Sequence, residues 1–295
     1  MRSLGAALAL AAALCLSSCV DQYPDRGSAG EASEPAVAVT SPVVAEICDR
    51  LHANVVGVPQ TTSDLPEAYA QATVIGGAMA PDLEVLSTLH ADYVFTPLTL
   101  VDDLQPKYAS IGQPSLFLDL KSVPGLYDSV DYAAALLGRE AEAAALRAEY
   151  DAFVEAFRQA LPEGRAPRVL VLMGVPGSYV VATDKSYVGS LVELAGGENV
   201  YGEEAQEFVN VNAEDMAARD PDIILRACHG LPDEVTAMFA EEFQTNDIWR
   251  HFRAVQEGRV YDLPSDLFGM SATFDYPEAL SQLSALMYQE GDPAW

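Results

Sequence analysis

Short apolar runs separated by helical patterns constrain this chain most. Asn54-Val55-Val56-Gly57-Val58 reads as a strand, and the polar loop Pro59 to Asp64 follows it. Val74-Ile75 is a second short strand, Tyr93-Val94-Phe95 a third that ends at Pro97, and Leu116-Phe117-Leu118 a fourth. Between them Asp82 to Leu89 places Leu83, Leu86 and Leu89 on one helical face. Strands that alternate with helices predict a parallel sheet of the α/β class.

From Asp128 the pattern turns purely helical. Gly138 is the expected end of a first helix, because a left-handed glycine commonly closes one. A second helix, Arg139 to Leu161, carries Leu146, Tyr150, Phe153, Val154 and Phe157 at helical spacing. At 1.5 Å per residue it spans roughly 34 Å, enough for a stiff connector between two α/β segments. A crossover helix within one sheet is the alternative.

Beyond it the strand–helix rhythm resumes. Arg168 to Met173, Tyr179 to Ala182, Asp222 to Leu225 and Val260-Tyr261 read as strands. Val188 to Leu194, closed by Gly196-Gly197, reads as a helix, as do Pro232 to Phe243 and Tyr276 to Tyr288. The two halves echo each other. In each, a glutamate in a first helical turn (Glu84, Glu214) precedes by eight residues an aspartate (Asp92, Asp222) that opens an apolar strand. A duplicated lobe predicts a ligand cleft between lobes, where pockets concentrate. Chance likeness of two common helix–strand units remains the other reading.

The N-terminus belongs to targeting. Arg2 is followed by an apolar run, Leu4 to Leu16, too short to span a bilayer and of signal-peptide length. It ends in Leu16-Ser17-Ser18-Cys19, a lipobox-like order in which Cys19 is expected to become the lipidated mature N-terminus, ordinary secretion with cleavage near an unmodified Cys19 being the other reading. Residues 1–18 are therefore expected to leave as a signal peptide. Residues 19–42, rich in Ser, Gly, Glu, Ala and Pro, are expected to form a flexible tether.

The formal net charge is −28, from 16 basic and 44 acidic residues. Losing the leader removes one arginine and no acid, so the mature chain is one unit more negative. Such a surface repels phosphate backbones and excludes general nucleic-acid binding and basic-patch adhesion to anionic lipid. Cys48 and Cys228 remain in the mature body, and two free thiols are expected. There is no Walker-type phosphate loop, nucleophile elbow, Cys-x-x-Cys or His-Glu-x-x-His, and the four histidines are widely spread. A structural zinc site is not expected, and no carboxylate pair stands out as a catalytic dyad.

Two loops draw attention by position. Gly76-Gly-Ala-Met79-Ala-Pro81 holds one large side chain before a helix. Arg226-Ala-Cys-His229-Gly230 lies past the C-terminal end of a strand, where open α/β sheets place ligands. Taken singly, Met79 also reads as a core methionine and His229 as a solvated helix-end histidine.

The lipobox, the α/β–helix–α/β layout and the paired glutamate helices resemble the substrate-binding lipoproteins of iron-siderophore, cobalamin and haem uptake transporters. Within that group the chain is similar to the haem-receptor lipoproteins of iron-regulated surface determinant systems. The resemblance covers about residues 43–290. It rests on Gly76 to Asp82, on Pro221 to Glu234 around His229, and on Leu267-Phe-Gly-Met-Ser-Ala272.

The resemblance implies two Rossmann-like lobes joined by a long backbone helix, the class III substrate-binding architecture. The implied divisions are 43–127, the connecting helices 128–164, and 165–295. It implies haem as the transported ligand, with iron held by Met79 and His229, one from each lobe. A Met/His pair leaves no open iron position, so binding without chemistry is implied. Thr61, Thr62 and Ser63 are implied as hydroxyl donors to the propionates, and Phe268 and Met270 as apolar contacts to the porphyrin. Glu84 and Glu214 are implied to meet arginines of an ABC permease. The chain is then a monomer on the extracytoplasmic face, held to the membrane by lipid alone, with upstream haem donors as further partners. A ferric siderophore or a cobalamin on the same scaffold is the alternative.

Overall fold

The computed structural model describes residues 34–288. The leader, Cys19 and the tether up to Ser33 lie outside the described residues. The first half contains β1 (Ala36–Val39), α1 (Pro42–Arg50), β2 (Asn54–Val58), β3 (Thr73–Val74), β4 (Gly76–Gly77) and β5 (Ala80–Pro81). It closes with α2 (Leu83–Leu89), β6 (Tyr93–Pro97), α3 (Val101–Ser110) and β7 (Ser115–Leu118). Two helices follow, α4 (Val123–Leu137) and α5 (Glu140–Ala160). The second half has β8 (Arg168–Val175), β9 (Ser178–Ala182), α6 (Tyr187–Leu194), β10 (Glu198–Asn199), β11 (Phe208–Val209) and α7 (Ala213–Ala218). It ends with β12 (Ile223–Cys228), α8 (Pro232–Thr245), α9 (Arg253–Gln256), β13 (Val260–Asp262) and α10 (Tyr276–Tyr288).

The first sheet is parallel throughout, in the order β3-β2-β1-β6-β7. The second runs β11-β9-β8-β12-β13, with β10 also paired to β8. There β8 and β9 form an antiparallel hairpin, while β12 lies parallel to both β8 and β13. Two sheets on either side of α4 and α5 make the two-lobed α/β architecture that the strand–helix rhythm predicts.

The fold begins inside the segment read as tether. Residues 36–39, read as tether, form β1 at the centre of the first sheet, with Val37, Ala38 and Val39 fully buried. Ser41 then caps α1, its side chain accepting from the Val44 amide. The connecting helices also begin earlier than Asp128. Ser122 caps α4 by accepting the Gly125 amide at 3.1 Å, with proline in the first turn. Gly138 ends that helix in the left-handed conformation, as expected.

One apolar core passes through both lobes. It runs from Val37 and Phe95, through Tyr127 and Val130 of α4 and Tyr150 and Val154 of α5, to Val169, Leu225 and Leu283. Tyr127 stacks on Tyr150 at 4.4 Å and meets Phe274 and Tyr276 edge-on, and its hydroxyl lies 3.3 Å from that of Tyr276. Polar ties flank this cluster: the Ala272 amide donates to the Leu120 carbonyl at 2.7 Å, and Lys121 pairs with Glu207 at 3.1 Å. Separate cores lie on the far faces, around Leu86, Leu104 and Tyr108 in one lobe and Val235, Phe239 and Trp249 in the other. Among the described residues no helix is long and apolar enough to cross a membrane.

Candidate ligand-binding site

Met79 sits in the two-residue loop of the β4–β5 hairpin, where Gly76 faces Pro81 and Gly77 faces Ala80. Gly76 has φ 89°, and a Cβ there would approach the Ala80 carbonyl and the Asp82 amide to 3.0 Å, so only glycine fits. The hairpin is pinned from below. The Ile75 amide donates to Val58, the Gln60 amide to Gly76 and the Asp82 amide to Ile75, at 2.9, 2.8 and 2.7 Å. The methionine at its tip is 75% exposed. That excludes the core reading and leaves a rigidly mounted thioether in solvent.

The Gln60–Gly76 bond joins this hairpin to the loop after β2. There Thr61 Oγ1 accepts the Ser63 amide at 3.0 Å, and Thr62 and Ser63 are exposed. Ser63 lines a cavity of about 430 Å³ with Pro42, Val43 and Leu65, and with Thr273 and Asp275 from the second half of the chain. Thr273 and Asp275 escaped sequence reading, because their place opposite this loop depends on the fold alone.

His229 follows the last residue of β12. Its amide donates to the Gly174 carbonyl at 2.8 Å, extending the β12–β8 ladder by one residue. Along β12, Leu225 and Ala227 face the shared core, while Ile224 and Cys228 face the core under α8. Strand alternation therefore sets His229 on the opposite face from Cys228. The Cys228 thiol is buried, and desolvation with the nearby Asp262 charge pushes its pKa up. Cys48 is likewise buried and free. The imidazole of His229 is exposed. Three residues earlier, buried Arg226 makes paired bonds of 2.7 and 2.6 Å to Asp262 and lies 4.9 Å from the Phe243 ring, bracing β12 against β13.

Glu84 and Glu214 are exposed in the first turns of α2 and α7. Asp82 caps α2 by accepting the Glu84 and Val85 amides, and Asn212 caps α7 by accepting the Asp215 amide. Each helix leads into the start of a strand, so its N-terminus lies at the edge where the strands end. That is also the edge of Met79 and His229.

The 267–272 segment departs from expectation. Phe268 is fully buried in the shared core and offers no ligand-facing surface in this conformation; it supports its loop from beneath. Met270 is partly buried against the same core.

Central strands ending in loops that carry exposed donor groups, on two lobes sharing one core, define a substrate-binding protein. The chain belongs to the periplasmic binding protein family, whose model matches residues 37–267. Its members bind and hand over substrates and are not enzymes. It is 39% identical over 243 residues to the high-affinity heme uptake system protein IsdE of Staphylococcus aureus, covering 82% of this chain and 83% of that one. Among solved structures, an ABC transporter substrate-binding protein from Listeria monocytogenes EGD-e is 40% identical with a TM-score of 0.83, covering 87% of this chain and all of that one. S. aureus IsdE complexed with heme is 38% identical with a TM-score of 0.80, covering 87% and 99%.

Proposed function

We propose that this protein is a lipid-anchored haem-binding protein of the extracytoplasmic face that delivers haem to an ABC importer. The observation that carries the reading is the pair of mounted donors: an exposed thioether on a pinned hairpin of one lobe and an exposed imidazole ending the central strand of the other. Kinship with a haem-uptake protein supports the same cargo.

The donor chemistry suits haem. Thioether and imidazole both ligate haem iron, and the pair raises its reduction potential relative to two histidines. Met79 and His229 hold the iron from opposite sides and leave it no free position, so the cargo is carried unreacted. Thr62 and Ser63 offer hydroxyl donors to the propionates, which an acidic protein must neutralise locally. Met270 gives apolar support. Glu84 and Glu214 present one carboxylate per lobe to the permease. The continuous core and the Tyr127–Tyr276 contact favour small rocking of the lobes over a wide hinge.

Haem titration of the apo protein tests this. The expected product has the sharp visible bands of low-spin, six-coordinate iron. His229→Ala is expected to weaken retention more than Met79→Ala, because thioether is the weaker ligand to ferric iron. A weakly held five-coordinate spectrum of the wild type overturns the ligand pair.

A further inference from the structure

Leu231 contradicts three local preferences at once. It has φ 43° and ψ 58°, directly after Gly230 at φ 72° and before Pro232, although a residue preceding proline is pushed toward extended backbone. The other left-handed non-glycine residues described are His52, His90 and Asp220, types that tolerate this region far better than leucine. It also occupies the N-cap of α8 without any oxygen to accept an amide. Five other helices, α1, α2, α4, α6 and α7, begin with a Ser, Asp or Asn whose side chain does accept one. Finally, its large apolar side chain is 56% exposed. Asparagine would suit the left-handed backbone and the solvent and would offer the helix start an oxygen, with only the restriction from Pro232 remaining.

Strain and exposure concentrated at one residue mark a site where function overrides folding. Leu231 lies two residues from His229, within about 7 Å along the chain. On the reading of His229 as an iron ligand, we infer that Leu231 is a cargo-contacting residue, its isobutyl group packing on the porphyrin beside the iron. The apolar surface exposed in the free protein is then covered in the loaded one. The uncapped turn holds that side chain out from the fold. The axial bonds do not depend on Leu231, so its contribution falls on how long the cargo stays.

The test compares wild type, Leu231→Asn and Leu231→Met, each loaded with haem. Haem loss to excess apomyoglobin is followed, and the melting temperature of each apo form is measured. Asn is expected to raise the apo melting temperature by about 2–4 °C, because it relieves the turn and caps α8. It is expected to release haem about tenfold faster with an unchanged visible spectrum. Met is expected to release haem within about twofold of wild type. Wild-type release from the Asn variant overturns the inference, as does faster release that merely tracks a lower melting temperature. Those outcomes leave haem binding intact. Wild type that takes up no haem instead overturns the function proposed above, and this inference with it.

Discussion

The two lobes close on their first strands in the same way. In the N-terminal lobe the Asp92 amide donates to the Ala36 carbonyl at 2.7 Å, and its carboxylate accepts the Ala36 amide at 2.8 Å. In the C-terminal lobe Asp222 makes the same pair of bonds to Arg168, at 2.7 and 2.8 Å. Two residues before each aspartate the backbone is left-handed, at His90 and at Asp220. The strands then pair in matching register, Val37 with Tyr93 and Val169 with Ile223. The echo in the sequence is thus a shared device that fixes strand register at the base of each sheet.

The lobes differ in what surrounds the clamp. Asp92 is exposed and joins no ion pair among the described residues. The Asp222 side chain is only 4% exposed and pairs with Arg165 at 2.8 Å and Arg253 at 2.6 Å. Burial alone raises its pKa, but Arg165, the Arg168 amide and Arg253 outweigh burial and hold it at about 2. One hydrogen-bonding design therefore serves topology in both lobes, and only the second adds an electrostatic stake.

The largest expected break in this comparison is removal of the clamps. Asp222→Ala is expected to cost about 2 kcal/mol in urea unfolding, because it removes the partner of the Arg168 amide together with the bonds to Arg165 and Arg253. Asp92→Ala is expected to cost about 1 kcal/mol, one exposed set of bonds. Equal losses would show that the ion pairs add nothing to the clamp.

Acid should separate the lobes next. The folded pKa of Asp222 lies below its ordinary value near 3.8, so its contribution is complete above about pH 4 and disappears as pH falls toward 2. With screening around the exposed Arg165, the loss amounts to about 1–2 kcal/mol. Amide exchange measured across that window should loosen β8 and β12 before β1 and β6. The opposite order would assign acid sensitivity elsewhere.

A smaller effect concerns the helix starts. Asp82→Ala and Asn212→Ala should each cost about 1 kcal/mol by thermal melts. Glu84→Gln and Glu214→Gln should leave melting within about 0.5 kcal/mol and haem retention unchanged, while lowering transport in a reconstituted importer. A stability loss from either glutamine variant would move that glutamate from docking to folding.

Much of this was legible in the sequence because apolar spacing reports strands and helices directly. Helix α10 begins at Tyr276, where its periodicity predicts, and continues to the last described residue, Tyr288. Strand β1 was not legible, since Ala-Val-Ala-Val is four residues set among Pro, Ser and Glu and shows no period of its own. Helix α3 was hidden by Pro106 in its interior. For the site, spacing pointed to the two loops, but their pairing came from family resemblance. An apolar residue in a loop does not announce which way it faces, and Phe268 turned inward. The left-handed backbone of Leu231 has no signature in its residue type.

The core shared by both lobes has a kinetic consequence. A binding protein with separate cores breathes about its hinge, and its ligand can leave during each spontaneous opening. Here a wide opening would disturb the packing of Tyr127, Tyr150, Phe274 and Tyr276, so on the proposed function thermal gaping is expected to be small. Leakage is then set by rupture of the contacts that hold the cargo. The work of prising it loose falls to the machine that receives it.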